Sequence, residues 1–225
     1  MLMDKRVPLY TGIHKGQRRW LAEISVRAGR TDYSQRGEVE WLQDQIGRFA
    51  EHLKEHAGLE ERFVHPLLNV IVPGCSQEIE EEHLAQHKLL KEILDGLENI
   101  KKTPDHPAME QIGHEAYLAL FRFMSIYLKH IDYEEEHVQN ILWNNFTPDE
   151  LTTLFLEIVK AQPQQSAMDN LTMMLTAMSI PESVGLLKMA KGVMPRPAYD
   201  GLTAHASKFI DSQRWESIQA KVGRD

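Results

Sequence analysis

The sequence predicts an all-α protein: an antiparallel up-down four-helix bundle over residues 1–146, followed by a set of short helices over residues 147–225 packed on it. Three observations predict this. Apolar residues recur at three- and four-residue spacing through four long stretches. No run of alternating strand-type residues lies between turn signals. After Phe146 the texture changes, because Pro163, Pro181, Pro195 and Pro197 cut the chain into short pieces.

The first helix occupies residues 8–28, on Leu9, Ile13, Trp20, Leu21, Ile24 and Ala28, and Gly29-Arg30-Thr31-Asp32 supplies its stop and the next cap. The second runs from Gly37 to Phe63 on Val39, Leu42, Ile46, Phe49, Leu53 and Leu59. It continues as an apolar stretch around Pro66 to Pro73-Gly74, and the proline kinks or ends it. The third covers 76–101, opened by the cap Ser76, with Ile79, Leu84, Leu90, Ile93, Leu94 and Leu97 behind it. The fourth covers 107–145, rich in Leu118, Leu120, Phe121, Phe123, Ile126, Leu128, Ile131 and Ile141. Short connections between long helices make neighbours antiparallel. Thr147-Pro148-Asp149-Glu150 starts the C-terminal part, which holds Met168, Met173, Met174, Met178, Met189 and Met194. These methionines read first as core filler and second as an adaptable surface for a protein partner or self-association.

Composition narrows the function. A chain of 225 residues with 42% hydrophobic content builds a core without a disulfide or a structural metal, so any metal has to be argued from chemistry. The lone Cys75 excludes a disulfide framework and a thiolate-rich metal site, and fits a reducing compartment. A net charge of −8 argues against nucleic acid as a partner. The first residues lack the apolar run of a signal peptide, and no stretch reaches the ~18 apolar residues of a membrane span. The expectation is a cytoplasmic protein with no membrane partner.

Against one cysteine stand eleven histidines. The second helix carries His56 and Glu60, the fourth carries His130 and Glu134, the third carries His83 and His87, and the first carries His14. Each pair is four residues apart, one helical turn, so both side chains leave the same face and can converge on one metal region. Any single pair is ordinary helix surface, but a contribution from all four helices is not. Five imidazoles and two carboxylates exceed a closed zinc site. Bridging carboxylates would fill four positions and imidazoles five, out of about twelve on two octahedral ions; a shared oxo or hydroxo bridge takes two more and leaves one open for a small ligand.

This order of residues resembles the hemerythrin-like (HHE cation-binding) family, whose members hold a non-haem di-iron centre in a four-helix bundle. Glu60-Glu61-Arg62-Phe63-Val64-His65-Pro66 is similar to that family's acidic pair followed by an aromatic and a proline. The resemblance covers residues 8–146. It implies two iron ions joined by an oxo or hydroxo bridge, His14, His56, His83, His87 and His130 as terminal ligands, and Glu60 and Glu134 as bridges. Glu61 is the rival of Glu60. Carrier hemerythrins place an Asp five residues after the last histidine, where this chain has Glu135; Glu135 is therefore the rival of Glu134. A ferritin-like reading through Glu80-x2-His83 and Glu134-x2-His137 is weaker, because it leaves His14, His56 and His87 unused.

Around this set, His52 lines a channel, hydrogen-bonds a ligand, or is an exposed helical residue, and His137 has similar standing. Phe123 and Tyr127 point near the pocket, as core residues by default, with Tyr127 a candidate hydrogen-bond donor. Glu51, Glu55 or Glu82 could hold the second N–H of a ligand histidine. His65, His106, His114 and His205 are assigned to solvent or local hydrogen bonds. One tension is geometric: a tight turn at 103–107 puts residue 123 level with His87, roughly 10 Å short of His130. An overhang near 106–113 would relieve it.

The resemblance implies binding of O2 or another small diatomic, in oxygen binding, sensing or iron handling. The competing reading is a di-iron enzyme, an oxidase or oxygenase, a peroxide-decomposing activity, or repair of damaged iron centres, with residues 147–225 shaping the pocket. A metal-free interaction module would require the ligand pattern to be coincidence.

Overall fold

A computed structural model describes residues 7–223, and every regular element among them is helical. In order they are α1 (Thr11–Ala28), α2 (Arg36–Phe63), α3 (His65–Ile71), α4 (Gln77–Lys102), α5 (His106–Tyr133), a π-helical turn (Glu134–Val138), α6 (Gln139–Asn145), α7 (Pro148–Ala161), α8 (Gln164–Ala177), α9 (Ile180–Val193), α10 (Arg196–Ala206) and α11 (Ser212–Val222). The fold is an all-α helical bundle with additional C-terminal helices. None of the described helices is long and apolar enough to cross a membrane.

The chain divides into two compact units, Trp20–Phe146 and a second made of Met1–Arg19 with Thr147–Asp225. One break falls between Phe146 and Thr147, where the proline-cut stretch begins. The difference from a simple 1–146 bundle lies at the start of α1, and Gly12 and Gly16 supply its physical reason. A Cβ on Gly12 would stand 2.5 Å from the Met174 methyl, and one on Gly16 would stand 2.6 Å from Met173 Cγ. Only glycine lets this helical face approach α8 so closely. The C-terminal unit has its own core of Leu171, Met174, Leu175, Leu187, Leu202 and Ile218 among others, with Ile13 of α1, Met168, Met178, Met189 and Met194 packed against it. Capping boxes at Thr147/Glu150 and Ser179/Glu182 start α7 and α9.

In the bundle unit each long helix buries one stripe. On α2 it is Val39, Leu42, Ile46, Phe49, Leu53, Ala57 and Glu60; on α4 it is Ile79, His83, Gln86, Leu90, Ile93, Leu97 and Ile100. On α5 it runs through Ala116, Leu120, Phe123, Tyr127 and His130. The polar members come late on α2 and α5 and early on α4. Antiparallel packing therefore gathers them at one end and leaves the rest apolar. Leu84 lies off the α4 stripe and is exposed.

The connections fix this arrangement. Val64 ends α2, and Pro66 sits in the first turn of α3 where its missing N–H costs nothing. Gly74 adopts φ +82°, the left-handed turn that the reversal into α4 requires. Ser76 does not cap α4 with its side chain, as the sequence suggested; its hydroxyl donates to Glu80 at 2.8 Å. Between α4 and α5 the loop is tight, and the Asp105 carboxylate accepts the Ala108 N–H at 3.2 Å, so α5 is regular from His106. The expected overhang at 106–113 is absent. Tyr33, in the loop after α1, lays its ring on Gly113 of α5 and donates its hydroxyl to the Ala28 carbonyl at 3.2 Å.

A methyl group at residue 113 would fall 2.1 Å from the Tyr33 ring. Gly113→Ala is therefore expected to destabilise the protein by about 1–3 kcal/mol in urea unfolding. Gly96→Ala, also within a helix but with nothing within 4 Å of its added carbon, should instead stabilise by about 0.4–1 kcal/mol.

Candidate metal centre

The polar ends of three inward stripes converge on two carboxylates. Glu60 directs one oxygen to His56 Nε2 at 3.5 Å and the other to His83 Nε2 at 3.4 Å. Glu134 places Oε1 at 3.2 Å from His130 Nε2 and 3.8 Å from His83 Nε2. His83 and His130 face each other with Nε2 atoms 3.0 Å apart. Two sets of donors result, His56 with Glu60 and Glu134, and His83 with His130 and Glu134; within each, ligand atoms lie within 4.8 Å of one another. Glu134 belongs to both sets, and Glu60 has an oxygen turned to each.

The environment of these carboxylates fits cations. Glu60 is 4% exposed and Glu134 1%, and neither Glu60 oxygen receives a hydrogen bond from an N–H or hydroxyl group. Burial first, and then the neighbouring Glu134 charge, push the Glu60 carboxyl well above the ordinary carboxylate range. His83 Nδ1 is likewise buried without a hydrogen bond. Two adjacent buried carboxylates surrounded by imidazole nitrogens, with no thiolate, suit first-row transition metals.

Further groups orient the ligands. Glu82 meets His130 Nδ1 at 2.7 Å, so of the three glutamates considered it is the one that holds a site histidine. Burial lowers the affinity of the His130 ring for a proton, but Glu134 and Glu82 outweigh this and hold it above the ordinary histidine value. The π-helical turn begins at Glu134 itself, an extra residue per turn of the kind found at functional sites.

In each acidic pair the first member is the one buried. Glu61 is exposed and Glu135 is only half-buried. His137 is exposed and stacks on Tyr133 with ring centroids 4.6 Å apart. His52 sits half-buried at the edge of the stripe, its ring parallel to His56 at 6.3 Å. Phe123 and Tyr127 are buried, stacked at 5.6 Å, and Tyr127 lies 6.4 Å from the His130 ring. His14 is fully buried in the first turn of α1, on the same stripe as Gln17, Leu21, Ile24 and Ala28.

His87 joins neither donor set. Its half-buried ring is pushed below the ordinary histidine value by burial, then by His83 and Lys54, with Glu51 and Glu61 opposing. This eases the register tension: the tight turn puts residue 127 level with His83, about 4.5 Å short of His130, and the two side chains close that gap with Nε2 atoms 3.0 Å apart. The ferritin-like alternative fails on Glu80, which is turned outward to Ser76 and His65. His65 is buried, with Nδ1 3.0 Å from Glu80 and its ring parallel to His83. Glu82's specific role and the buried Gln86 were not singled out from sequence; Gln86 was findable as a member of the α4 stripe.

A family model described as the Hemerythrin HHE cation binding domain matches residues 7–142. No curated protein and no solved structure matches the chain.

The metal-free protein should lose stability as pH rises. Glu60 keeps its proton in the folded state well above 4.5, whereas the unfolded chain releases it near that value. Between those two points the folded state binds more protons, so unfolding free energy falls with rising pH. Glu60→Gln should flatten this dependence in denaturation curves recorded from pH 5 upward; an unchanged slope would contradict it.

Proposed function

The chain belongs to the hemerythrin HHE cation-binding family, and on that footing we propose that it holds two iron ions and reversibly binds O2 or another small diatomic, serving oxygen binding, sensing or iron handling. The observation that carries this reading is the pair of donor sets sharing Glu134, with Glu60 turned to both. Iron held there would supply electrons to the bound ligand.

The ligand assignment we propose is His14 and His56 on one ion, His83 and His130 on the other, with Glu60 and Glu134 bridging. His14 enters through the family resemblance and through its stripe on α1, shared with Leu21 and Ile24 of the bundle core. His87 then stands beside the centre rather than in it. Each ion would keep four protein ligands out of about six positions, leaving room for exogenous ligands on both.

The chain's residues have separate tasks. Glu60 and Glu134 neutralise the cations and fix their separation. Glu82 holds His130 in orientation through Nδ1, leaving Nε2 for the metal. Phe49, Phe123 and Tyr127, all buried, form an aromatic layer that excludes water from the inner side of the site. The lone Cys75 leaves the chemistry to imidazole and carboxylate and suits a cytoplasmic setting.

A second reading, a di-iron oxidase, oxygenase, peroxide-decomposing or iron-centre repair enzyme, is favoured by the same open coordination, since a carrier needs a single free position. Metal analysis of the purified protein should give about two irons per chain, reduced together in Glu60→Ala. Stoichiometric zinc, or no metal, would overturn the proposal. A spectrum formed with O2 and reversed by its removal supports binding, whereas sustained turnover of peroxide or a reductant supports the enzyme.

A further inference from the structure

The inward stripe of α4 carries one polar residue that the metal reading leaves unused. Gln86 follows His83 by three positions and precedes Leu90 by four; its side chain is 3% exposed, and its Nε2 is buried without a hydrogen-bond partner. Native interiors rarely tolerate an unpaired amide donor, because desolvating it brings no compensating bond.

Its place follows from the register. His83 faces His130 on α5 and Glu60 on α2. Three residues along α4 is about 4.5 Å, so Gln86 lies one turn inward from His83 on the same buried stripe. Gln86 therefore occupies the first stripe position inward from the candidate ligand His83, on the side of the core that holds Phe49, Phe123 and Tyr127. Ala57, small and buried, is the α2 stripe position before Glu60. The next residue on the α4 stripe, Leu90, is hydrocarbon, and no acceptor of the described fold reaches Gln86 Nε2, so the amide gains a partner when something with an acceptor atom enters.

We infer that Gln86 is a ligand-binding residue of the centre, donating its carboxamide N–H to the outer atom of a small anion held there. The inference rests on the two-iron reading of the same site and specifies the class of ligand it selects. A donor in a dry interior discriminates strongly by charge: hydrogen bonds to anionic acceptors are about twice as strong as those to neutral ones. The pocket then favours ligands that carry negative charge when bound over those that stay neutral.

The test uses iron-loaded full-length protein with azide as the anionic probe and nitric oxide as the neutral one. Gln86→Leu and Gln86→Met, which remove the donor at similar volume, should keep the iron and weaken azide binding about tenfold or more. Nitric oxide affinity should stay within about twofold, since it gains little from the donor. In metal-free protein both variants should raise Tm by about 2 °C or more, because they remove a buried unpaired amide. Iron retained with azide affinity unchanged overturns the inference. So does a lowered metal-free Tm in both variants, which would mean that Gln86 is paired within the fold. Wild-type protein that takes up no iron overturns the two-iron reading and this inference with it.

Discussion

Glu60 and Glu134 set the constraint on which the rest of the bundle depends. Two carboxylates within ligand distance, both buried, form an arrangement that folding alone does not favour. Without cations the folded chain must keep a proton there. A cation held there would turn that repulsion into attraction. The apolar layers of α2, α4 and α5 hold the two carboxylates together in spite of this, since each fully buried Leu, Ile or Phe contributes about 1.5–3 kcal/mol. The site is tolerated because the core behind it is large.

Helix direction then does the assembling. Along α2 and α5 the inward stripe ends in acid and imidazole, and along α4 it begins with imidazole. In parallel packing those groups would be scattered between both ends of the bundle. The tight Thr103–Asp105 connection makes α4 and α5 antiparallel and brings His83 to His130. At the far side of His130 the π-helical turn widens the backbone at Glu134, and Val138 and Leu142 continue the buried face beyond it. Geometry at the ligands and continuity of the core are thus reconciled within one turn.

Much of this was legible from residue spacing. The four long helices follow from periodicity, and one-turn spacing picks out the pairs His56/Glu60 and His130/Glu134, whose side chains take part in the His/Glu groups of the bundle. Other features depend on contacts that a single sequence does not express. That Gly12 and Gly16 admit methionine side chains of α8 is a long-range fact, so the grouping of Met1–Arg19 with the C-terminal helices was not readable. Glu82 could be named as one of three candidates but chosen only once the direction of His130 Nδ1 was known. The register between α4 and α5 was also hidden, because it depends on which histidine of α4 faces inward.

That last point has a general physical basis. Four-residue spacing places two side chains on one face of a helix but does not say which way the face points. At about 100° per residue, the buried positions Ile79, His83, Leu90, Ile93, Leu97 and Ile100 centre on a direction from which Gln86 departs by only about 15°. On the same reckoning His87 departs by about 85°, toward the edge of the bundle, where its ring is half-buried. Glu134 and Glu135 divide in the same way, as do Glu60 and Glu61: the inner member keeps phase with the apolar stripe and its neighbour is rotated about 100° away. Phase against the hydrophobic stripe, rather than spacing between chemically suitable residues, decides which of them can meet inside. Gln86 satisfies that criterion more closely than His87, although its chemistry did not mark it as a ligand.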